Sequence, residues 1–355
     1  YIGAGAVAAG GIISLVKSMP LIVTTFRDAV KGMKGGSGNT ELRTNQNLDM
    51  RFIGIGILVI IIAIWLLPEI PVSPLGALLI VVFGFFFATV SSRMVGLVGS
   101  SNNPVSGMAI ATLLFSTLVL KLSGDAGVHG MTGAIGIASV ICIVAAIAGD
   151  TSQDLKTGYI LGATPKKQQI GELIGVVAAA FTIGGVLTLL NTAWGFGSTD
   201  LSAPQATLMR MITEGVMDGN LPWALVFIGV FIAVIIEILR IPVLPVAIGL
   251  YLPLELSSTI MIGGIIRWFV DRKKANDKDK DSEANSGILF CSGLIAGEGL
   301  VGIILAVLAV VKVTDVIDVS EYVNTGVIGS LALMVIMVLC ILKFGVWSKK
   351  KTDAK

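Results

Sequence analysis

Apolar runs of bilayer length recur along almost the whole of this 355-residue chain. They cover 2–25, 52–67, 75–90, 104–120, 131–148, 173–190, 221–239, 254–270, 287–311 and 326–342. A helix needs about 17–25 such residues to cross a hydrocarbon core. Lipid offers no partner to a backbone amide, so a crossing segment must satisfy its own hydrogen bonds. The fold class expected is all-α, a polytopic transmembrane helical bundle of about ten spans. Charged residues make up only 14% of the chain, against roughly 25% in soluble proteins. The 43 glycines lie mostly inside the apolar runs, where small residues let membrane helices approach closely.

Charge and cysteine usage remove several function classes. The net charge is +2, with no concentrated basic domain, so nucleic acid is not an expected partner. Cys142, Cys291 and Cys340 all sit in apolar runs and read as buried free thiols. His129 is the single histidine, placed in a Gly-rich loop over 123–130, so no His-based metal centre or HExxH site can form. The residues before Asp150 lack the GxGD pattern of intramembrane aspartyl proteases, and no GxxxxGK[ST] loop occurs. No enzyme activity, catalytic residue, resident metal or cofactor is therefore expected. The chain opens at Tyr1 directly in an apolar run, without Met or a charged leader, so further spans are expected to precede it.

Lys and Arg concentrate at 27–51, 267–280 and 343–355, which the positive-inside rule places in the cytoplasm. Two connectors read as aqueous, a loop at 27–51 and a cytoplasmic linker at 271–285. Residues 204–219 read as an amphipathic helix lying on the membrane surface. Arg210, Glu214 and Asp218 lie on one face, with Leu208, Met209, Ile212 and Val216 on the other. Residues 240–253 hold three prolines and are too broken for a crossing helix. A re-entrant hairpin over 242–270 fits them. Glu237 and Arg240 read as a pair at a helix end.

An internal repeat is visible. Arg93 and Arg240, Pro104 and Pro253, and Asp150 and Glu298 are separated by 147, 149 and 148 residues. The repeat units expected are 75–220 and 221–344, within one transmembrane transporter domain spanning 1–355. Repeats joined by interrupted helices are a transporter trait, with the substrate site where the repeats meet.

Polar groups are costly in or beside a bilayer, which makes three places candidate sites. Asp150, Asp154 and Thr157 share one helix face, with Gln153, Lys156 and Tyr159 nearby. A buried carboxylate has its pKa raised by desolvation, which suits proton exchange. The alternative is a helix start capped by Thr151 and Asp154, with Gly162 as the stop. Ser100, Ser101, Asn102 and Asn103 form a polar turn before Pro104 that could sit between half-helices. Glu298 is an acid inside an otherwise apolar span. If Asp150 follows its repeat partner Glu298, 150–169 lies in the membrane. Lys166 and Lys167 argue for the cytoplasm, and the sequence leaves both topologies open.

Four ordered segments, 98–108 (VGSSNNPVSGM), 148–168 (AGDTSQDLKTGYILGATPKKQ), 244–253 (LPVAIGLYLP) and 294–298 (LIAGE), resemble the oligopeptide transporter (OPT) superfamily in its prokaryotic branch. The resemblance implies a secondary importer of about sixteen helices built from duplicated units, of which this chain would be the C-terminal portion. It implies proton-coupled symport of small peptides, or of metals chelated by siderophore-like or amino-acid-derived ligands, across the cell membrane. On that reading Asp150, Asp154 and Glu298 handle protons. Ser100, Ser101, Asn102, Asn103, Gln153, Lys156 and Tyr159 bind substrate. The partners are then substrate, protons and the lipid bilayer, with a homo-oligomer left open. An uncoupled channel, a substrate-binding receptor or a subunit of a larger carrier are the alternatives.

Overall fold

The computed structural model describes residues 1–34, 42–67, 71–99, 103, 105–125, 127–198, 200–219, 222–250, 252–273, 286–313 and 326–344. Among them the chain is all-helical, with no sheet. The helices are α1 (Ile2–Lys34), α2 (Met50–Leu66), α3 (Pro74–Val98), α4 (Val105–Leu122), α5 (Val128–Leu161) and α6 (Pro165–Ala193). There follow α7 (Pro204–Asp218), α8 (Trp223–Ile238), α9 (Val243–Gly249), α10 (Leu254–Lys273), α11 (Ser286–Val310) and α12 (Gly326–Leu342). Five of these, α3, α4, α5, α6 and α11, are long and apolar enough to cross a membrane.

The chain divides into two compact units. The first holds Tyr1–Ala180 and Pro204–Tyr251, the second Phe181–Ala203 and Leu252–Lys355. In the first, α1 packs on α8, α4 and α9, while α5 packs on α3 and α4. Its core joins Val7, Ile110, Leu113, Ile137, Leu208 and Ala233 from five helices. A smaller cluster of Phe87, Val90, Met108, Ile141 and Ala145 fills the space among α3, α4 and α5. In the second unit α12 packs on α10 and α11. There the Ser286 hydroxyl donates to the Phe344 carbonyl at 2.8 Å, and the rings of Phe290 and Phe344 stack 4.5 Å apart.

Glycines set how closely the helices of the first unit approach. A Cβ on Gly229 of α8 would lie 2.0 Å from the Ile2 carbonyl oxygen, and one on Gly5 of α1 2.2 Å from that of Val226. The two backbones touch there, as small residues at membrane helix contacts allow. Buried hydroxyls on α4 turn inward on their own helix. Thr112 donates to the Met108 carbonyl at 2.8 Å, and Ser116 to that of Thr112 at 2.7 Å. An apolar core tolerates hydroxyls only when satisfied in this way.

Several expectations change in three dimensions. α1 continues past its apolar run to Lys34, so the loop expected at 27–51 begins as helix. The 271–285 linker falls outside the described residues beyond Lys273. His129 is in the first turn of α5 rather than in a loop, and its Nδ1 lies 2.8 Å from the Asp125 carboxylate. The three thiols are free but only half-buried. Glu237 pairs with Lys17 of α1, not with Arg240, whose φ of 58° ends α8 in the left-handed region.

Helix α7 forms where expected, and Arg210 and Glu214 do pair along its polar face at 3.4 Å. Its apolar face does not lie on a membrane surface. Leu208 is 0% exposed and Ile212 5%, because α7 packs against α4 and α5. Lys121 of α4 secures its end by donating to the Val216 carbonyl at 2.7 Å. An amphipathic pattern says that one side of a helix is to be covered, not what covers it.

Candidate functional site at the α3–α5 seam

The longest helix among the described residues carries the longest polar motif. α5 runs unbroken for 34 residues from Val128, about 51 Å at 1.5 Å per residue. Hydrocarbon accounts for about 30 Å of that. Residues 150–161 are therefore helical, and Thr151 with Asp154 caps no helix start. The expected stop is correct. Gly162 takes φ 73°, and Ala163 donates back to the Gly158 carbonyl at 2.7 Å. That is the glycine-terminated helix end that only a residue without Cβ adopts at little cost.

α3 ends at Val98, with Gly99 at φ 82° but an extended ψ of 161°, so its helix end differs from that at Gly162. Helix resumes at Val105, and α3 and α4 are each long and apolar enough to cross a membrane, so the polar segment joins two full-length helices rather than two half-helices. Ser100, Ser101 and Asn102 lie outside the described residues. Asn103 is described, and it reaches back into the contact between α3 and α5. Its Nδ2 donates to the Ser91 hydroxyl at 2.7 Å, and the Ser91 hydroxyl donates to the Ala145 carbonyl of α5. Ser91 is fully buried. The hydroxyls of the adjacent Ser92 and of Ser152 join the same two helices, and Ser152 also donates to the Ala148 carbonyl at 2.9 Å.

Gly149 makes this seam possible. A Cβ there would stand 2.9 Å from Val95 Cγ2, 3.0 Å from Asn103 Nδ2 and 3.3 Å from Ser91 Oγ. The Asn103 amide therefore occupies the volume that any side chain at 149 would need. Its other end is unsatisfied, since Asn103 Oδ1 is buried with no hydrogen-bond partner among the described residues. A buried acceptor without a donor costs about 1–3 kcal/mol.

The charged part of the motif faces away from the seam. Asp150, Gln153, Asp154, Lys156, Thr157 and Tyr159 are exposed on α5. Lys156 places its ammonium 5.0 Å from the centre of the Tyr159 ring, a cation–π contact within one helical turn. Glu298 is exposed on α11, in the second unit.

The end of the motif is structural. A Cβ on Gly158 would meet the Gln168 side chain at 2.0 Å, and Gln168 Nε2 donates to the Asp154 carbonyl at 2.9 Å. The segment before α2 clasps this elbow. Arg43 donates to the Thr164 hydroxyl at 3.2 Å, Lys166 N–H to the Gln46 carbonyl at 2.8 Å, and Leu48 N–H to Gln169 Oε1 at 2.8 Å. Sequence reading missed Ser91 as the partner of Asn103, and Ser92 with Ser152 as a link between α3 and α5. Nothing local pairs them, because Ser91 and Ser92 follow an apolar run and read as helix-packing residues.

Residues 1–309 match the protein family described as OPT oligopeptide transporter protein. A Haemophilus influenzae protein bearing an oligopeptide-transporter name is 33% identical over 353 residues, covering 86% of this chain and 56% of that protein. A Saccharomyces cerevisiae protein also named for oligopeptide transport is 28% identical over 70% of this chain and 35% of its own length. A rice protein named for metal-nicotianamine transport is 26% identical over 54% of this chain and 29% of its own length. The chain thus spans about half the length or less of these curated relatives. No solved structure matches it significantly.

Proposed function

Because this chain belongs to the OPT oligopeptide transporter family, a group of multi-pass membrane transporters and not of enzymes, we propose that it forms the substrate- and proton-handling part of a secondary symporter. The cargo is a small oligopeptide or a metal chelated by an amino-acid-derived ligand, carried across the cell membrane with protons.

One observation supports the reading: α5 exposes the carboxylates of Asp150 and Asp154 on one face while its other face meets α3, where Asn103 bonds Ser91. Broken helices with unpaired backbone ends are where carriers of this kind hold ions and substrates. Acids in membrane helices mark the pathways of the ions that drive transport. Asp150, Asp154 and Glu298 take and release protons. Ser100, Ser101, Asn102, Asn103, Gln153, Lys156 and Tyr159 contact substrate, with Lys156 free to leave the Tyr159 ring for a substrate carboxylate. The units 75–220 and 221–344 are a duplication that puts Glu298 in the place of Asp150. The stretch 242–270 serves as a re-entrant hairpin of the second copy.

The test is uptake into proteoliposomes containing the full-length protein, with an inward proton gradient and a panel of labelled short peptides and iron or nickel chelates. Accumulation that collapses with a protonophore supports symport and names the cargo. Saturable binding without accumulation replaces it with an uncoupled channel or receptor.

A further inference from the structure

We infer that the cavity between α10, α11 and α12 holds one acyl chain of an anionic phospholipid whose head group is met by Arg267. The site belongs to the second unit alone and stands apart from the transport reading.

The cavity has a volume of about 300 Å³. Gly263 and Arg267 of α10, Gly287, Cys291 and Ile295 of α11, and Ile341 of α12 line it. The wall also includes Ser292, but its hydroxyl is turned back on its own helix, donating to the Ile288 carbonyl at 3.0 Å. Such walls offer water too few partners to hold it, and favour an apolar occupant. Gly263 keeps the space open, since a Cβ there would meet nothing within 4 Å.

The position of the cavity fits one leaflet of a bilayer. The Ser286 hydroxyl bonds the Phe344 carbonyl, so the start of α11 adjoins the end of α12. Arg267 and Gly287 share a wall, which brings the end of α10 to the same place. The basic segments 267–280 and 343–355 thus meet at one end of this unit, the end that the positive-inside rule assigns to the cytoplasm. Trp268 is there too, its ring centre 5.2 Å from the Arg272 guanidinium, and tryptophan is enriched at the level of lipid head groups. From Gly287 to Ile295 the wall runs about 12 Å along α11. That is most of one leaflet of a hydrocarbon core about 30 Å thick.

Size and charge select the occupant. One turn of helix, about 10–12 Å across and 5.4 Å high, already exceeds this volume, whereas a single chain of methylenes fits. Arg267 Nε donates to Asp271 at 3.1 Å, which fixes the guanidinium beside the cavity. A guanidinium has five donors in a planar fork, so it can serve a carboxylate and a phosphate together. Arg272, Lys273, Lys274 and Lys343 follow closely in the sequence, and their charge exceeds that of Asp271. Basic pockets between membrane helices on the cytoplasmic side attract anionic head groups in this way.

The experiment uses full-length protein, stripped of lipid and then equilibrated with vesicles of equal parts dioleoyl phosphatidylglycerol and dioleoyl phosphatidylcholine. Native mass spectrometry reads the lipid retained. Wild type is expected to retain phosphatidylglycerol over phosphatidylcholine by roughly fivefold or more. Glycerol phosphate, which has the anion without the chain, should not displace it.

Arg267→Gln removes the preference for the anionic lipid, and Arg267→Lys restores part of it, which separates lost charge from a folding defect. Gly263→Leu fills the cavity from an open position and removes the bound lipid, with an unchanged size-exclusion profile. Equal retention of the two lipids by wild type overturns the inference, as does a preference that survives both Arg267→Gln and Gly263→Leu. No retained lipid in wild type, the result expected if another segment of the full-length chain fills the cavity, overturns it as well. Gradient-driven uptake is not part of this readout, so failure of the lipid site leaves the proposed function standing, and failure of symport leaves the lipid site standing.

Discussion

Gly149 of α5 and Asn103 of the polar turn exclude one another's side-chain space: a Cβ on the glycine would lie 3.0 Å from the amide nitrogen. The helix that carries Asp150 is therefore held against the turn by the absence of a side chain at the residue just before it. Gly149→Ala must displace Val95 or the amide, and overpacking of this kind costs about 1–3 kcal/mol. The purified variant is expected to melt at lower temperature and to lose substrate affinity. Gly149→Leu should fail to yield a monodisperse protein on size-exclusion chromatography.

At the elbow, Gly158 and Gln168 stand in the same relation, with a would-be Cβ 2.0 Å from Gln168 Oε1. Gly158→Ala should lower the melting temperature, and Gln168→Ala in the same chain should restore most of the loss. Equal melting temperatures for the single and double variants would show that the crowding lies elsewhere.

Lys17 and Glu237 tie α1 to α8, the two helices whose backbones meet at Gly5 and Gly229. Lys17 is largely exposed, so the coupling expected from a double-mutant cycle of Lys17→Ala and Glu237→Ala is about 1 kcal/mol or less. The charge-swapped pair Lys17→Glu with Glu237→Lys should behave closer to wild type than either single reversal. Gly229→Leu drives a side chain into the Ile2 carbonyl and should abolish folded protein altogether, as judged by fluorescence-detected chromatography.

Asp150→Asn is expected to abolish proton-driven uptake while membrane insertion and yield stay at wild-type levels. Asp154→Asn and Glu298→Gln should reduce uptake and shift its pH dependence. Unchanged accumulation in Asp150→Asn would remove that residue from the coupling mechanism.

Much of the helical plan was legible because bilayer-length apolar runs need no tertiary information to be recognised. The stop at Gly162, the break before Pro104 and the helix at Pro204–Asp218 were legible as local chemistry, in a glycine, a proline and an amphipathic period. Partners were not legible. Lys17 and Glu237 lie far apart in the chain, as do Arg43 and Thr164, and no local pattern pairs them.

Sequence alone determined the class of molecule, an all-helical multi-pass membrane protein of the OPT family, and marked Asp150, Asp154 and Asn103 as residues of interest. It could do so because burying polar groups in lipid is so costly that each exception stands out. Tertiary structure decided which of those residues face one another. It placed Asn103 against Ser91 and Gly149, left Asp150 and Asp154 exposed on α5, and gave the end of the motif to a structural elbow. It also covered the apolar face of α7 with protein. These choices depend on which helix surfaces approach within a few ångströms, and that is set by steric fit between segments distant in the chain.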